Sequence, residues 1–108
     1  MNKIIFTVAD FRKVFKQMVE GDRIHFSHGI DGGFWDFLCK MEQLSDEEVA
    51  KLKLYADLGM DSIDLWEMIC IFERDNEVLI TDNIESALGT GVCLSVQSFL
   101  NAINDNQE

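Results

Sequence analysis

Ser62 is the residue whose position is best suited to chemistry. It follows the turn-forming segment Asp57–Asp61. Gly59 can adopt a positive φ and Asp61 stands where a helix N-cap belongs, so Ser62 is predicted to be the first residue of a helix. The amides and the macrodipole at a helix N-terminus favour an incoming anion such as a phosphate. Taken alone, the dipeptide Asp61-Ser62 predicts only a helix cap.

Other arrangements that could do chemistry are weaker. Ser62 has no Gly-x-Ser-x-Gly context, and neither His25 nor His28 is placed by the sequence as its base, so a catalytic triad is unsupported. The two histidines lie near Asp31 and Cys39, but no ordered ligand spacing identifies a metal site. A serine hydroxyl needs an external base or metal to attack a phosphoryl group. We therefore predict no catalytic or metal-binding residue.

The acidic charge of the chain is concentrated in its second half. Of the net charge of −11, residues 1–53 contribute −1, with nine acidic and eight basic side chains. Residues 54–108 contribute −10, with eleven acidic side chains and Arg74 as the one basic side chain. This distribution argues against nucleic acid as a partner and predicts docking to proteins that carry basic patches. The alternative is an acidic face that is merely solvated.

Length and composition indicate one globular, helical domain. The chain has 108 residues, is 47% hydrophobic, contains no proline and shows no strand-like alternation. Its three cysteines form no CxxC pair, which favours a reducing compartment. Asp10 and Arg12 interrupt the amino-terminal apolar run too early for a signal peptide, and no stretch approaches the roughly twenty apolar residues of a membrane span. We expect a cytoplasmic protein.

The first predicted helix covers about residues 8–20. Thr7 and Asp10 form a capping-box-like start, and Gly21 ends the pattern. The residues predicted to face the core recur at helical spacing. They are Phe11, Val14, Phe15, Met18 and Val19.

Two weaker helices are predicted between this helix and Ser62. Residues 21–33 contain four of the seven glycines and are predicted to form a loop, and residues 34–41 have the spacing of a short helix. Ser45 and Glu48 form a second capping box. The segment that follows is predicted to face inward through Val49, Leu52 and Ala56.

The helix that starts at Ser62 is predicted to run to about Asp75 and to have two apolar faces. The inward face consists of Leu65, Met68, Ile69 and Phe72. The second face consists of Ile63, Trp66 and Cys70, and it adjoins the acidic residues Asp64, Glu67 and Glu73. An apolar strip with an aromatic anchor and a charged rim is typical of a transient protein interface. The alternative is that Trp66 is buried against an extra segment of this chain.

Two further helices complete the pattern. The shorter one would begin at Thr81 or Asp82 and contain Ile84, Ala87 and Leu88. Ser95 is the predicted N-cap of the last helix. Its inward residues would be Val96, Phe99, Leu100 and Ile103. The polar tail, residues 104–108, is expected to fray.

Residues 57–64, Asp-Leu-Gly-Met-Asp-Ser-Ile-Asp, closely resemble the attachment motif of the acyl carrier protein family, Asp-x-Gly-x-Asp-Ser-Leu/Ile-Asp. The resemblance extends over about residues 57–103. It is broken by Thr81, where proline is usual, by Asn76, where an aromatic residue is frequent, and by an apparent insertion at residues 89–93.

The amino-terminal half matches the family in one of two ways. If residues 8–20 are the first family helix, residues 21–45 are an insertion with its own helix. If the segment after Ser45 takes that place, residues 8–20 are an addition. The length and continuous apolar face of residues 8–20 favour the first alternative.

The resemblance implies an all-α fold, a four-helix bundle with an extra short helix, forming a single domain over residues 1–108. Ser62 would receive 4′-phosphopantetheine from coenzyme A through a phosphopantetheinyl transferase. The arm would carry acyl groups as thioesters in fatty-acid or polyketide-type biosynthesis.

The protein would thus be a non-catalytic, monomeric carrier. Its partners would be the transferase and acyl-transfer or condensing enzymes with basic docking patches. The expected docking residues are Asp61, Ile63, Asp64, Trp66, Glu67, Cys70 and Glu73. The alternatives are a peptidyl or aminoacyl carrier, and an unmodified carrier-like interaction module in which Ser62 is only part of a cap.

Overall fold

The structure, a computed structural model, describes residues 4–20, 41–60, 62–88 and 94–107. These residues contain five complete helices and no β-strand, so the predicted helical class is confirmed for this part of the chain. Residues 41–43 are also helical. The five helices are α1 (Val8–Glu20), α2 (Asp46–Ala50), α3 (Ser62–Asn76), α4 (Ile84–Leu88) and α5 (Val96–Asp105).

Helix α1 has the predicted bounds and the predicted start. The backbone N–H of Thr7 donates to Asp10 Oδ2 at 2.7 Å, and the N–H of Asp10 donates to Thr7 Oγ1 at 3.5 Å. These bonds satisfy backbone donors that a helix start leaves unpaired. The buried side chains of α1 include Phe11, Val14, Phe15 and Met18, as predicted. Through them α1 packs on α2, α3 and α5.

The inward faces of α3 and α5 complete the core. Every residue predicted to face inward on these two helices is buried. Aromatic rings join the elements: Phe11 of α1 meets Phe99 of α5 edge-on, with ring centroids 6.4 Å apart, and Phe72 of α3 lies 4.7 Å from Phe6. Burying a phenylalanine side chain stabilises the fold by roughly 1.5–3 kcal/mol. These contacts hold α3 in place by one face only.

Helix α2 is shorter than the sequence suggests. Ser45 and Glu48 form the predicted capping box and Val49 is buried, but the helix ends at Ala50. Residues 54–58 form turns, and Ala56 is exposed, so its predicted inward orientation is wrong.

The early end of α2 has a backbone cause. Leu54 donates its N–H to the carbonyl of Leu94, and Val96 donates its N–H to the carbonyl of Leu52, both at 2.9 Å. Because the chain pairs here with the segment entering α5, its backbone leaves the helical path.

The polar tail is held by hydrogen bonds up to residue 107, so the prediction that it frays is wrong for residues 104–107. Asn104 Oδ1 accepts the N–H of Phe6 at 2.8 Å, and Asn104 Nδ2 donates to the carbonyl of Phe6 at 3.1 Å. The side-chain amide of Gln107 binds the backbone of Ile4 in the same way. Two side-chain amides thus hold the segment Ile4–Thr7 against the end of α5.

Arg12 joins α1 to the chain that leads into α2. Its Nε donates to Asp46 Oδ1 at 3.0 Å and its Nη1 to the carbonyl of Met41 at 2.6 Å. Nη2 donates to the carbonyl of Leu44. Met41 itself is buried.

Several predictions fall on residues 21–40 and 89–93, outside the described residues. They are the loop with His25 and His28, most of the predicted helix at 34–41, and the apparent insertions. The side chains of Val19 and Ala87 also lie outside them. None of the described helices is long and apolar enough to cross a membrane.

Candidate functional site

The turn before α3 is fixed by burial on both sides of Gly59. Gly59 has a φ of 67°, the positive value that the sequence predicts. Its N–H donates to the carbonyl of Tyr55, and the N–H of Met60 donates to the carbonyl of Leu54, both at 2.9 Å. Leu58 and Met60 are each 1% exposed. The chain therefore approaches α3 along a defined path.

Asp57, the first residue of the attachment-like motif, closes the same turn. Its Oδ2 accepts the backbone N–H of Lys53 at 2.7 Å, and its own N–H donates to the carbonyl of Lys53 at 3.0 Å. This is a local bond from an aspartate side chain to the backbone four residues earlier in the chain. Sequence reasoning assigned Asp57 to the motif but missed this role.

Helix α3 begins at Ser62, as predicted. Asp61 and the Ser62 side chain lie outside the described residues. The backbone position alone has a chemical consequence, because the first turn of a helix has N–H groups without helical partners and the positive end of the macrodipole. A phosphate attached at this position would lie in a favourable field.

Asp64 is buried, whereas a docking residue must be accessible at the surface. It is 0% exposed, and a carboxylate without accessible surface cannot contact a partner, so its predicted docking role is wrong in this structure. The reason lies in helical spacing: Asp64, Met68 and Ile71 stand at i, i+4 and i+7, and the last two are also buried. This spacing is visible in the sequence and was the signal available for finding the burial.

The predicted second face of α3 is exposed. Ile63 is 60% exposed, Trp66 is 42% exposed, and Cys70 is an exposed free thiol. Trp66 therefore keeps part of its surface exposed, and the extra segments against which the alternative would bury it, residues 21–40 and 89–93, lie outside the described residues. We call Ile63, Trp66 and Cys70 the α3 strip.

The acidic residues beside the α3 strip have contacts within the protein. Glu67 is half-buried and has an interaction partner in the chain. Glu73 Oε2 accepts the backbone N–H of Ile80 at 2.9 Å, so Glu73 also holds the link between α3 and α4. A docking role for these two residues stays a prediction, and for Glu73 it stands beside a structural one.

A concavity lies between α2 and the start of α5. It is an open groove of about 690 Å³ whose lining includes Lys51, Lys53, Ser95 and Ser98. The Ser95 hydroxyl donates to Ser98 Oγ at 3.0 Å and accepts the Ser98 N–H at 3.1 Å, so it belongs to the α5 cap. Within the described ranges, no cluster of His, Cys, Asp and Glu side chains is suited to a metal ion.

Comparisons with protein-family models, curated proteins and solved structures find no match to this chain. The resemblance to acyl carrier proteins therefore depends on the sequence alone, above all on the motif at residues 57–64.

Proposed function

We propose that this protein is an acyl carrier whose Ser62 bears a 4′-phosphopantetheine arm in fatty-acid or polyketide-type biosynthesis. The observation that carries the proposal is the start of α3 at Ser62, directly after a turn in which Gly59 has a φ of 67°. An attachment motif at residues 57–64 would need its serine at the N-terminus of a helix, and Ser62 is at that position.

The described surroundings of Ser62 fit such a group. A helix of fifteen residues starts at the serine, and its first-turn amides suit the phosphate of the arm. When bound, the arm would supply a terminal thiol that holds acyl groups as thioesters. In its attachment, the Ser62 oxygen forms a bond to the phosphorus that carries the pantetheine, and the pyrophosphate P–O bond of coenzyme A breaks. Adenosine 3′,5′-bisphosphate leaves, and the hydroxyl proton passes to a base of the transferase.

The α3 strip supports docking of a separate enzyme. Ile63 and Trp66 expose apolar surface within the first turn and a half of the helix that Ser62 opens. Residues 54–108 carry a net charge of −10, so a partner with a basic rim around an apolar pocket is electrostatically favoured. Trp66 would be the aromatic anchor of that contact.

A second candidate is an unmodified interaction module. It is favoured by the same exposure of Ile63 and Trp66, which would serve a binding protein equally well. A peptidyl or aminoacyl carrier is the third candidate. It shares the modification with the acyl carrier and differs in its cargo.

Intact-mass measurement separates the first two candidates. The purified protein is incubated with coenzyme A, magnesium and a broad-specificity phosphopantetheinyl transferase. We expect a mass increase of one phosphopantetheine, absent in Ser62→Ala and present in Ser86→Ala. Ser86 is the matched control because it is an exposed serine on another helix, α4.

A folded protein that gains no mass contradicts the carrier proposal and favours the interaction module. Equal mass gain in Ser62→Ala would also contradict it, because the arm would then be on another residue.

A further inference from the structure

Asp64 differs in burial from the other acidic side chains near Ser62 that the structure describes. It is 0% exposed, and it is one of two polar side chains that are buried in the described parts of the chain, the other being Gln107 at 8%. Asp57 is exposed and Glu67 is half-buried. A role for Asp64 must therefore act inside the molecule.

A buried carboxylate is costly unless the protein compensates for its lost hydration. Asp64 has an interaction partner within the chain. It is also the third residue of α3, where a carboxylate lies close to the unpaired N–H groups of the first turn and to the positive end of the helix dipole. A negative charge at this position is therefore placed to stabilise the start of α3.

Ser62 lies between two buried anchors. Met60, two residues before it, is 1% exposed, and Asp64, two residues after it, is 0% exposed. Ile63, between Ser62 and Asp64, is 60% exposed. Buried side chains thus hold the chain two residues before and two residues after Ser62.

We infer that Asp64 is a positioning residue, whose buried carboxylate fixes the first turn of α3 and thereby presents the Ser62 hydroxyl to the transferase. This inference rests on the proposed function of Ser62. It assigns to Asp64 an internal role in place of contact with the partner. The two roles predict different kinetic effects.

The test measures kcat and KM for phosphopantetheine transfer to Asp64→Asn at several salt concentrations. Asparagine keeps the size of the side chain, but it loses the negative charge, and an N–H donor group replaces one of the two acceptor oxygens. We expect kcat to fall roughly tenfold, because transfer depends on near-attack geometry, with KM and its salt dependence unchanged. Asp64→Glu restores the charge and should recover part of kcat.

Glu67→Gln supplies the docking comparison, since Glu67 is half-buried beside the α3 strip. Removal of a docking charge should raise KM and flatten its salt dependence. Ile103→Val and Ile103→Ala control for general loss of stability, because Ile103 is buried on α5, in another helix. These variants should keep the unsubstituted kcat while lowering the melting temperature. If Asp64→Asn does not fold, kcat and KM of Asp64→Glu decide instead: a lowered kcat with unchanged KM supports the inference, and an unchanged kcat or a raised KM overturns it.

An unchanged kcat in Asp64→Asn, or a raised KM with flattened salt dependence, overturns the inference. A fall in kcat that Ile103→Ala reproduces at equal stability overturns it as well. If the unsubstituted protein accepts no arm, the proposed function fails separately. In that case the internal role of Asp64 is tested by amide hydrogen exchange of residues 62–65. Faster exchange in Asp64→Asn supports the role, and unchanged exchange rejects it.

Discussion

Helices α3 and α5 each have a serine at the amino-terminal end, but the two serines occupy different positions relative to the helix start. Ser95 precedes α5 as its N-cap, and its oxygen accepts the N–H of Ser98 at 3.1 Å. Ser62 is instead the first residue of α3 and so does not occupy the cap position. A hydroxyl in the cap position is used by the backbone, whereas one inside the first turn is not needed for capping. The position of a serine relative to a helix start thus separates a structural residue from a candidate for modification.

The two helices also differ in how they use their apolar residues. On α5, Val96, Phe99, Leu100, Ala102 and Ile103 are all buried. On α3, Ile63 and Trp66 remain exposed although the helix has a complete inward face. All the apolar residues of α5 are therefore buried in the core, whereas α3 leaves two large apolar side chains exposed.

The largest effect on stability should come from the core face of α5. Phe99 is 0% exposed and meets Phe11 edge-on, so Phe99→Ala should lower the free energy of unfolding by about 3–5 kcal/mol. Trp66→Ala on α3 should cost well under that, since Trp66 is 42% exposed. Urea denaturation of both variants measures the difference. Equal losses would remove the distinction between the two helices.

The next effect concerns the far end of α5. Asn104→Ala removes two hydrogen bonds to the backbone of Phe6, whose ring packs on Phe72. We expect a loss of about 2 kcal/mol in the free energy of unfolding and faster hydrogen exchange at Phe6. Asn101→Ala is the matched control, because Asn101 is an exposed amide on the same helix. A loss as large in the control would contradict the proposed clamp.

The start of α5 gives a smaller effect. Ser95→Ala should lower the free energy of unfolding by about 1 kcal/mol through loss of the cap, and it should leave phosphopantetheine transfer unchanged. Ser62→Ala should abolish the transfer and change stability by less than about 0.5 kcal/mol. Thermal melts and intact mass on both proteins provide the comparison. A large stability loss in Ser62→Ala would make Ser62 a structural serine like Ser95.

The smallest effect is a pH dependence at the start of α2. Glu48 accepts the N–H of Ser45, and this backbone hydrogen bond, followed by the Ser45 side chain, lowers the pKa of Glu48 below its ordinary value of 4.5. A pKa lowered by folding contributes stability above the ordinary value, and that contribution is lost as the pH falls through the lower, folded value. The stability difference between the protein and Glu48→Gln should therefore shrink below pH 4.5. A difference that stays constant with pH would show that the charge of Glu48 plays no part.

Local sequence patterns predicted the elements that local forces determine. The bounds of α1, the start of α3 at Ser62 and the cap of α5 at Ser95 follow from helical spacing and capping residues, and the structure confirms them. The α3 strip was also predicted, because Ile63, Trp66 and Cys70 share a face distinct from the inward one.

Contacts between distant residues left no such pattern. Asn104 binds Phe6 across 98 positions and Gln107 binds Ile4 across 103, and single polar residues at those positions looked like a solvated tail. The premature end of α2 has the same origin, since its cause is pairing with the segment at Leu94. Asp64 was misread for another reason: its place in an acidic motif outweighed its helical spacing with Met68 and Ile71.

The central claim is that Ser62 bears the arm, and peptide mapping tests it directly. Cleavage of the modified protein after Lys53 and Arg74 gives the peptide 54–74, in which Ser62 is the one serine and no threonine occurs. Fragmentation of this peptide should place one phosphopantetheine on Ser62. Finding the peptide unmodified after treatment with the transferase, or finding the added mass on Cys70 or elsewhere in the chain, would contradict the account.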